Sequence, residues 1–325
     1  MPADCPLPSE NTLRVSVIIP LYNKAPYIRR ALDSVAAQTF RDFELIVVDD
    51  GSTDGGEQSV TDFGDARVRL IRQPNAGPGA ARNRGISEAG GELLAFLDAD
   101  DEWTPEFLSE CVRTLDGHGA EVAAVSTGYV EYPGGESREA MWRGRGLAEG
   151  LQKVTETTDP ALFVNMLAFM QPNTTVARAA AVRRWGGFYA RDRCLYAEDA
   201  HLWMKVLLNE RVAFDLRPLA VRHVEASDLS KNLSGARPVE PFLLHPEEIE
   251  AACPTHLRLL LAKVLAARAF KTACVLGYWG DWRAARALAK RHAVEGGWRL
   301  PYFLPALVCR TPLGPALGRA WRAFT

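Results

Sequence analysis

Through residue 126 the chain alternates short apolar runs with stretches of helical periodicity, and this alternation narrows the fold more than any other feature. The runs VSVII (15–19), ELIVV (44–48), VRLIR (68–72), LLAFL (93–97) and EVAAVS (121–126) have strand length. Largely apolar runs of that length fit strands buried in a sheet. After the first run, which ends at Pro20, Ile28, Ala31, Leu32 and Val35 fall at i, i+3, i+4 and i+7. That is one face of a helix, with Pro26 tolerated in its first turn and Asn23 as a candidate cap. The segment 75–91 reads as a Gly-rich loop, a helix of small residues over 79–89 and a Gly-Gly stop. A helix over 105–115 starts at Pro105. The pattern predicts an α/β fold with a mostly parallel sheet covered by helices on both faces. Right-handed crossovers put the strand C-termini on one edge, where PLYNK, DDGSTD and DADDEW should converge.

The stretch LLAFLDADD carries the sharpest chemical signal. An apolar run ends abruptly in carboxylates, as a buried strand does when it delivers acids to a sheet edge. Asp98 and Asp100 are two apart and point to one side if strand geometry persists. Two such carboxylates can hold a hard divalent cation, and the cation a diphosphate.

Beyond 126 the pattern loosens. Gly134-Gly135 and 143–150 read as loops, and a helix follows over 160–170. TTVAR is a strand and WGGF a turn. AEDAHLWMKVLLNE is a helix with Glu198 and Asp199 in its first turn, where acids suit the helix dipole. VAF and AVRHV are two short strands. From about 246 the chain reads as helical, with Asp281 capping a helix over 282–295 and a Gly277–Gly280 turn closing an α-hairpin.

Composition excludes several classes. The net charge of −2 gives no global case for nucleic acid. Cysteines 5, 111, 194, 253, 274 and 309 show no C-x-x-C spacing, so they read as reduced thiols of a cytoplasmic protein. Residues 1–13 contain acids and no apolar core, and are expected to be a mobile leader. The most apolar long stretch, 257–279, is broken by Arg258, Lys263, Arg268 and Lys271, against a membrane span. The tail holds Arg283, Arg286, Lys290, Arg291, Trp298, Arg299, Arg310, Arg319, Trp321 and Arg322. Such helices either lie on an anionic membrane surface or pack on the catalytic domain.

Three segments, VSVIIPLYNKAPYIRRALDSVAAQTFRDFELIVVDDGSTD, RQPNAGPGAARNRGISEAGGELLAFLDADDEW and GGFYARDRCLYAEDAHLWMKVL, resemble the family 2 glycosyltransferases in order and spacing. The resemblance covers residues 15 to about 225. It implies a GT-A fold, a Rossmann-like mostly parallel sheet flanked by helices, with a helical C-terminal extension. The implied domains are a catalytic unit over 14–240 and an extension over 241–325. Within the first, 14–126 would bind the nucleotide-sugar and 127–240 would face the acceptor.

The implied chemistry is metal-dependent, inverting transfer from a UDP-sugar to a hydroxyl of a glycan or lipid-linked acceptor in surface polysaccharide or glycolipid synthesis. By resemblance Asp100 is the direct ligand of Mn²⁺ or Mg²⁺ and Asp98 a ribose or metal-water contact beside Ala99, while Asp101 reads as an acid on the approach to the next helix. Pro20, Tyr22 and Asn23 shape the base pocket. Asp50, or its rival Asp49, accepts the uracil N3–H. Arg82 contacts base or phosphate. Asp199, with Glu198 beside it, is the general base, and the 185–188 turn shapes the acceptor side. His223 is a candidate metal ligand, although VEAS replaces the family's usual proline-glycine turn after it. Peripheral membrane contact would run through the C-terminal helices. The rivals are a nucleotidyltransferase, which would release pyrophosphate, and a non-catalytic nucleotide-sugar-binding protein. A dinucleotide dehydrogenase is disfavoured because PLYNK follows the first strand in place of G-x-G-x-x-G.

Overall fold

A computed structural model of the chain describes residues 13–226, 237–314 and 316. The expected leader, except residue 13, and the tail residues Arg319, Trp321 and Arg322 lie outside the described residues.

The first half follows the predicted alternation: β1 (Val15–Leu21), α1 (Ala25–Ala36), β2 (Phe43–Asp49), α2 (Gly56–Thr61), β3 (Val68–Arg72), α3 (Pro78–Glu88) and β4 (Leu93–Phe96). The four strands pair in parallel in the order β3-β2-β1-β4. The central β1 and β2 are buried almost throughout, which is why their sequences read as continuous apolar runs. β1 runs through Pro20 instead of stopping there. Ile18 is its last residue paired with β4, and Pro20 faces that same side, so no ladder bond needs its missing N–H. α1 buries Ile28, Ala31, Leu32 and Val35 as predicted, but its cap position is Lys24.

The second half comprises β5 (Glu102–Trp103), α4 (Phe107–Gly117), β6 (Val122–Tyr132), β7 (Glu136–Ser137), α5 (Glu139–Gly144), β8 (Gly150–Gln152), α6 (Pro160–Phe169), β9 (Thr175–Arg178), α7 (Ala179–Arg184), α8 (Glu198–Asn209) and β10 (Arg211–His223). The sheet continues as β4-β9-β6-β10-β5. β9 lies antiparallel to both β4 and β6, so β6 and its parallel partner β10 run in the direction of β1–β4. Among the described residues only β9 and the short β5, β7 and β8 oppose that direction. The two short strands expected at VAF and AVRHV are one strand. Register shifts around Asp215–Ala220 absorb Pro218, which the sequence presents as a break.

The chain then turns helical: α9 (Pro241–Leu244), α10 (Glu247–Ala252), α11 (Arg258–Trp279), α12 (Trp282–Arg291) and α13 (Phe303–Cys309). Asp281 caps α12 as predicted, its Oδ1 accepting from the Ala284 N–H at 3.0 Å. The α-hairpin turns on Gly280 alone, at φ 109°. Gly277 stays helical, and a Cβ there would meet the Cys309 carbonyl oxygen at 2.0 Å. Among the described residues no helix is long and apolar enough to cross a membrane.

Candidate active site

A cleft of about 930 Å³ opens where the aligned strands end. Pro20, Leu21 and Tyr22 reach it from β1, Asp50 from the end of β2, Asp98 through Asp101 from the end of β4, and His223 from the end of β10. Glu198 and Asp199 enter from the first turn of α8. The predicted convergence of polar strand ends therefore takes place. Asn23 is absent from the wall. Its backbone, at φ 49°, donates to Ser52 Oγ, and its Oδ1 accepts from the Thr53 N–H at 2.8 Å. It ties the β1–α1 loop to the β2–α2 loop and does not cap a helix.

Geometry separates the two rival acids after β2. Asp49 is turned away from the cleft, and its Oδ1 accepts from the Ser52 N–H at 3.0 Å. Asp50 lines the cleft. Its Oδ1 accepts from Gln73 Nε2 at 2.7 Å and the Ala76 N–H at 2.9 Å, and its Oδ2 accepts from the Gly77 N–H at 2.8 Å. A carboxylate has about four lone-pair sites, so roughly one remains. The buried Asp50 thus organises the 73–77 loop that leads into α3. Gly77 itself sits at φ 93°, and a Cβ there would press on Arg193 and Cys194 at 3.3 Å.

Arg82 is the centre of the site. It is 4% exposed. Its Nη1 donates to Glu198 Oε1 and its Nη2 to Asp98 Oδ1, both at 2.6 Å. The guanidinium lies 5.2 Å from the centre of the Phe188 ring, in cation–π range. Burial alone would lower its pKa, but the Asp98 and Glu198 charges outweigh burial and hold it above its ordinary value. One cation therefore joins the acids of β4 to those of α8. The next residue reinforces the join. Asn83 Nδ2 donates to the Phe188 carbonyl and its Oδ1 accepts from the Phe188 N–H, both at 2.8 Å. α3 can approach this closely because Gly79 has no side chain: a Cβ would lie 2.2 Å from the Tyr189 carbonyl oxygen. The 185–188 turn supports the site from behind and is not part of its wall. Phe188 packs edge-on to Phe96 and Trp203 with centroids 4.9 and 5.9 Å away, and Trp185 Nε1 donates to Glu210 at 3.0 Å.

The acids after β4 take three different roles. Asp98 pairs with Arg82. Asp100 lies 2.9 Å from Lys24 Nζ. Burial raises the Asp100 pKa, the Asp98 charge raises it further, and Lys24 opposes both. Between them, Ala99 lines the cleft with little exposure. Asp101 is buried, and is not the helix-approach acid its position in DADDEW implies. It accepts from the His223 N–H at 2.8 Å and from Asn173 Nδ2 at 2.6 Å, holding the end of β10 against the β4 loop. The His223 ring has both nitrogens 2.9 Å from carboxylates, Nδ1 from Glu225 and Nε2 from Glu102. In this arrangement neither ring nitrogen faces an open coordination position. Among the described residues no cluster of three His, Cys, Asp or Glu side chains is arranged to hold a metal. Asp98 and Asp100 nevertheless suit a hard cation. They are a mutually repelling oxygen pair at the cleft, and Asp100 already takes the Lys24 ammonium.

Asp199 is half-buried beside Glu198. Burial first and the Glu198 charge second push its pKa from 3.8 to about 7, with Arg82 pulling it down. A carboxylate with that pKa is well matched to taking a proton near neutral pH. The preceding residue, Ala197, is held at φ 57°. Left-handed backbone at a non-glycine residue costs about 1–2 kcal/mol, and the strain aims the first turn of α8 into the cleft.

Sequence reasoning missed Lys24, Asn83, Gln73, Glu102 and Asn173. Lys24 follows PLYN and Asn83 follows Arg82 inside stretches already singled out, so position was their signal. Gln73 and Asn173 act through loops whose path is set by tertiary packing.

The family model described as "Glycosyl transferase family 2" matches residues 16–181. An uncharacterized glycosyltransferase of Nostoc sp. is 46% identical over 106 residues, 32% of this chain and 33% of that protein. Glycosyltransferase GlyA of Streptococcus pneumoniae is 29% identical over 230 residues, 67% of this chain and 32% of GlyA. The succinoglycan biosynthesis protein ExoW of Rhizobium meliloti is 41% identical over 114 residues, 33% of this chain and 36% of ExoW. The matches span about a third of the length of these relatives. Among solved structures, S. aureus TarS 1–349 in complex with UDP-GlcNAc superposes with a TM-score of 0.69 at 23% identity, over 96% of this chain and 92% of that one. The mannosyltransferase PcManGT of Pyrobaculum calidifontis, in complex with GDP-Man and Mn2+, gives 0.55 at 20% identity, over 100% and 90%. At such identities these two speak for the fold alone, which is the GT-A fold. The family match extends over half of the sequence, and the chain belongs to glycosyltransferase family 2.

Proposed function

We propose that this chain transfers a sugar, with inversion, from a UDP-linked donor to a hydroxyl of a glycan or lipid-linked acceptor in assembly of a bacterial-type surface polysaccharide or glycolipid. The observation that carries the reading is the Asp98–Arg82–Glu198 bridge, with Asp199 and its pKa of about 7 adjacent to it. UDP and UDP-GlcNAc in the TarS complexes favour a uridine donor, and the name of ExoW favours polysaccharide synthesis.

In this reading the base lies against Pro20 and Tyr22, and Asp50 accepts the uracil N3–H through its remaining lone pair. Asp100 and Asp98 hold Mn²⁺ or Mg²⁺, and His223 joins them only if its ring gives up Glu102 or Glu225. The bound ion supplies charge stabilisation to the departing diphosphate. Arg82 keeps Asp98 oriented towards the donor and holds Glu198 beside it. Asp199 takes the proton of the acceptor hydroxyl, a contribution of about 10²–10⁴-fold. The protein works in the cytoplasm, and its basic C-terminal helices extend the reading to peripheral contact with the inner face of a membrane.

Calorimetric titration of UDP with and without Mn²⁺, repeated on Asp100→Asn, tests the donor site. Metal-dependent binding that the substitution abolishes is the expected result. Absence of UDP binding under both conditions would remove the uridine donor from the reading, and release of pyrophosphate in turnover would favour nucleotidyl transfer instead.

A further inference from the structure

The C-terminal helices separate charge and apolar surface in a way the catalytic site does not use. Residues 282–325 contain eight Lys or Arg and a single acid, Glu295, in a chain whose net charge is −2. Five large apolar side chains exposed among the described residues, Trp298, Tyr302, Leu304, Val308 and Leu313, fall within 298–313. Leu304 is 70% exposed, Leu313 66% and Trp298 62%.

Packing explains which side of α13 is left open. Ala306 is buried, and the Cys309 carbonyl lies against Gly277 of α11 in the close approach described above. Leu304 and Val308 are four apart, so they share the opposite face, where Pro301 and Pro305 are also exposed. Arg299 and Arg310 flank this face, and no acid falls between 296 and 325. Basic groups then lead back to the cleft. Lys271 Nζ lies 5.9 Å from the Tyr302 ring. Burial lowers the Lys271 pKa, and the charges of Arg268, Arg145 and Arg237 lower it further. Arg237 lines the cleft mouth.

Large exposed apolar side chains gathered in one short segment mark a contact. Here it carries Trp and Tyr, is rimmed by arginines and lacks acids, which complements an anionic bilayer. We infer that this face docks on an anionic lipid surface. Trp298, Tyr302, Leu304, Val308 and Leu313 enter the interface, and Arg299, Arg310 and Lys271 meet headgroup phosphates. The inference rests on the peripheral contact proposed above and is independent of sugar transfer.

The test is co-sedimentation of the full chain with phosphatidylcholine vesicles, with and without phosphatidylglycerol, for the parent and the double variant Leu304→Ser, Val308→Ser. The expected result is binding that requires phosphatidylglycerol, falls at high salt and weakens about tenfold or more in the variant. Circular dichroism and UDP titration of the variant should match the parent, which shows that fold and donor site are intact. No sedimentation with phosphatidylglycerol vesicles would overturn the inference and leave an acidic protein as the partner of this face. Equal binding of parent and folded variant would overturn it as well. Vesicle binding without UDP binding would keep the docking face and remove the donor reading, so the two failures are distinguishable.

Discussion

Replacing Asp199 by Asn should stabilise the fold above neutral pH while removing turnover. The Asp199 carboxyl is raised from 3.8 to about 7 by burial and by the Glu198 charge. The folded chain therefore holds this proton more tightly than the unfolded chain. Stability then falls as pH rises between the two values, because the unfolded state releases its proton first. At about 1.4 kcal/mol per tenfold in proton affinity, the gap amounts to about 4 kcal/mol. Asp199 is partly open to the cleft and titrates beside Glu198, so screening reduces the working figure to about 2 kcal/mol. Asn preserves the shape and cannot ionise. Its gain should be near zero at about pH 4, grow through the interval and level off above about pH 7. For a chain of this length a gain of that size is roughly 3 °C in Tm. Scanning calorimetry of both proteins at about pH 4 and pH 8 measures it. A gain of equal size at both pH values, or a loss at pH 8, would refute the assignment of a raised pKa to this carboxyl.

The same carboxyl should set the pH dependence of activity. Turnover should rise through about pH 7 as Asp199 loses its proton, and Arg82→Met should move that limb to higher pH, because Arg82 favours the ionised form. The Arg82→Met variant should also lose about 3 kcal/mol of stability in urea unfolding, since it leaves the buried Glu198 without its counter-charge. Asn83→Ala should cost about 2 kcal/mol in the same assay by leaving the Phe188 N–H and carbonyl unpaired. It should also lower kcat more than it raises KM, as expected of a residue that positions Arg82 and α8 without touching substrate.

Much of this site was legible because strand ends are legible. Asp98 and Asp100 could be placed from LLAFLDADD, since an apolar run of strand length fixes where its polar end emerges. Glu198 and Asp199 could be placed because AEDAHLWMKVLLNE is long enough to read as a helix, with both acids in its first turn. What the sequence left open was direction and partnership. Nothing in VVDDGS tells Asp49 from Asp50, because the choice depends on which carboxylate meets the 73–77 loop, a contact across 23 to 27 residues. His223 looks like a ligand in isolation and is enclosed by Glu102 and Glu225 in the fold. Asp101 looks like a solvated acid and is buried against Asn173, 72 residues away. VAF and AVRHV read as two short strands with Pro218 between them, and only the register of β10 against β6 shows that bulges accommodate the proline in one strand.

Arg82 links these observations. Burying a guanidinium between two carboxylates is costly unless every partner is held in place. The surrounding residues meet that condition from three sides: Asn83 clamps the Phe188 backbone, Gly79 lets α3 touch Tyr189, and the Phe188 ring covers the guanidinium face. The bridge therefore forms only when α3, β4 and the segment leading into α8 have docked. The Glu198 charge that raises Asp199 and the Arg82 charge that restrains it are then fixed at the same moment. A carboxyl with a pKa near neutrality is in this sense a consequence of how the two halves of the sequence pack, and loosening the α3–α8 contact should detune Asp199 before it unfolds the chain.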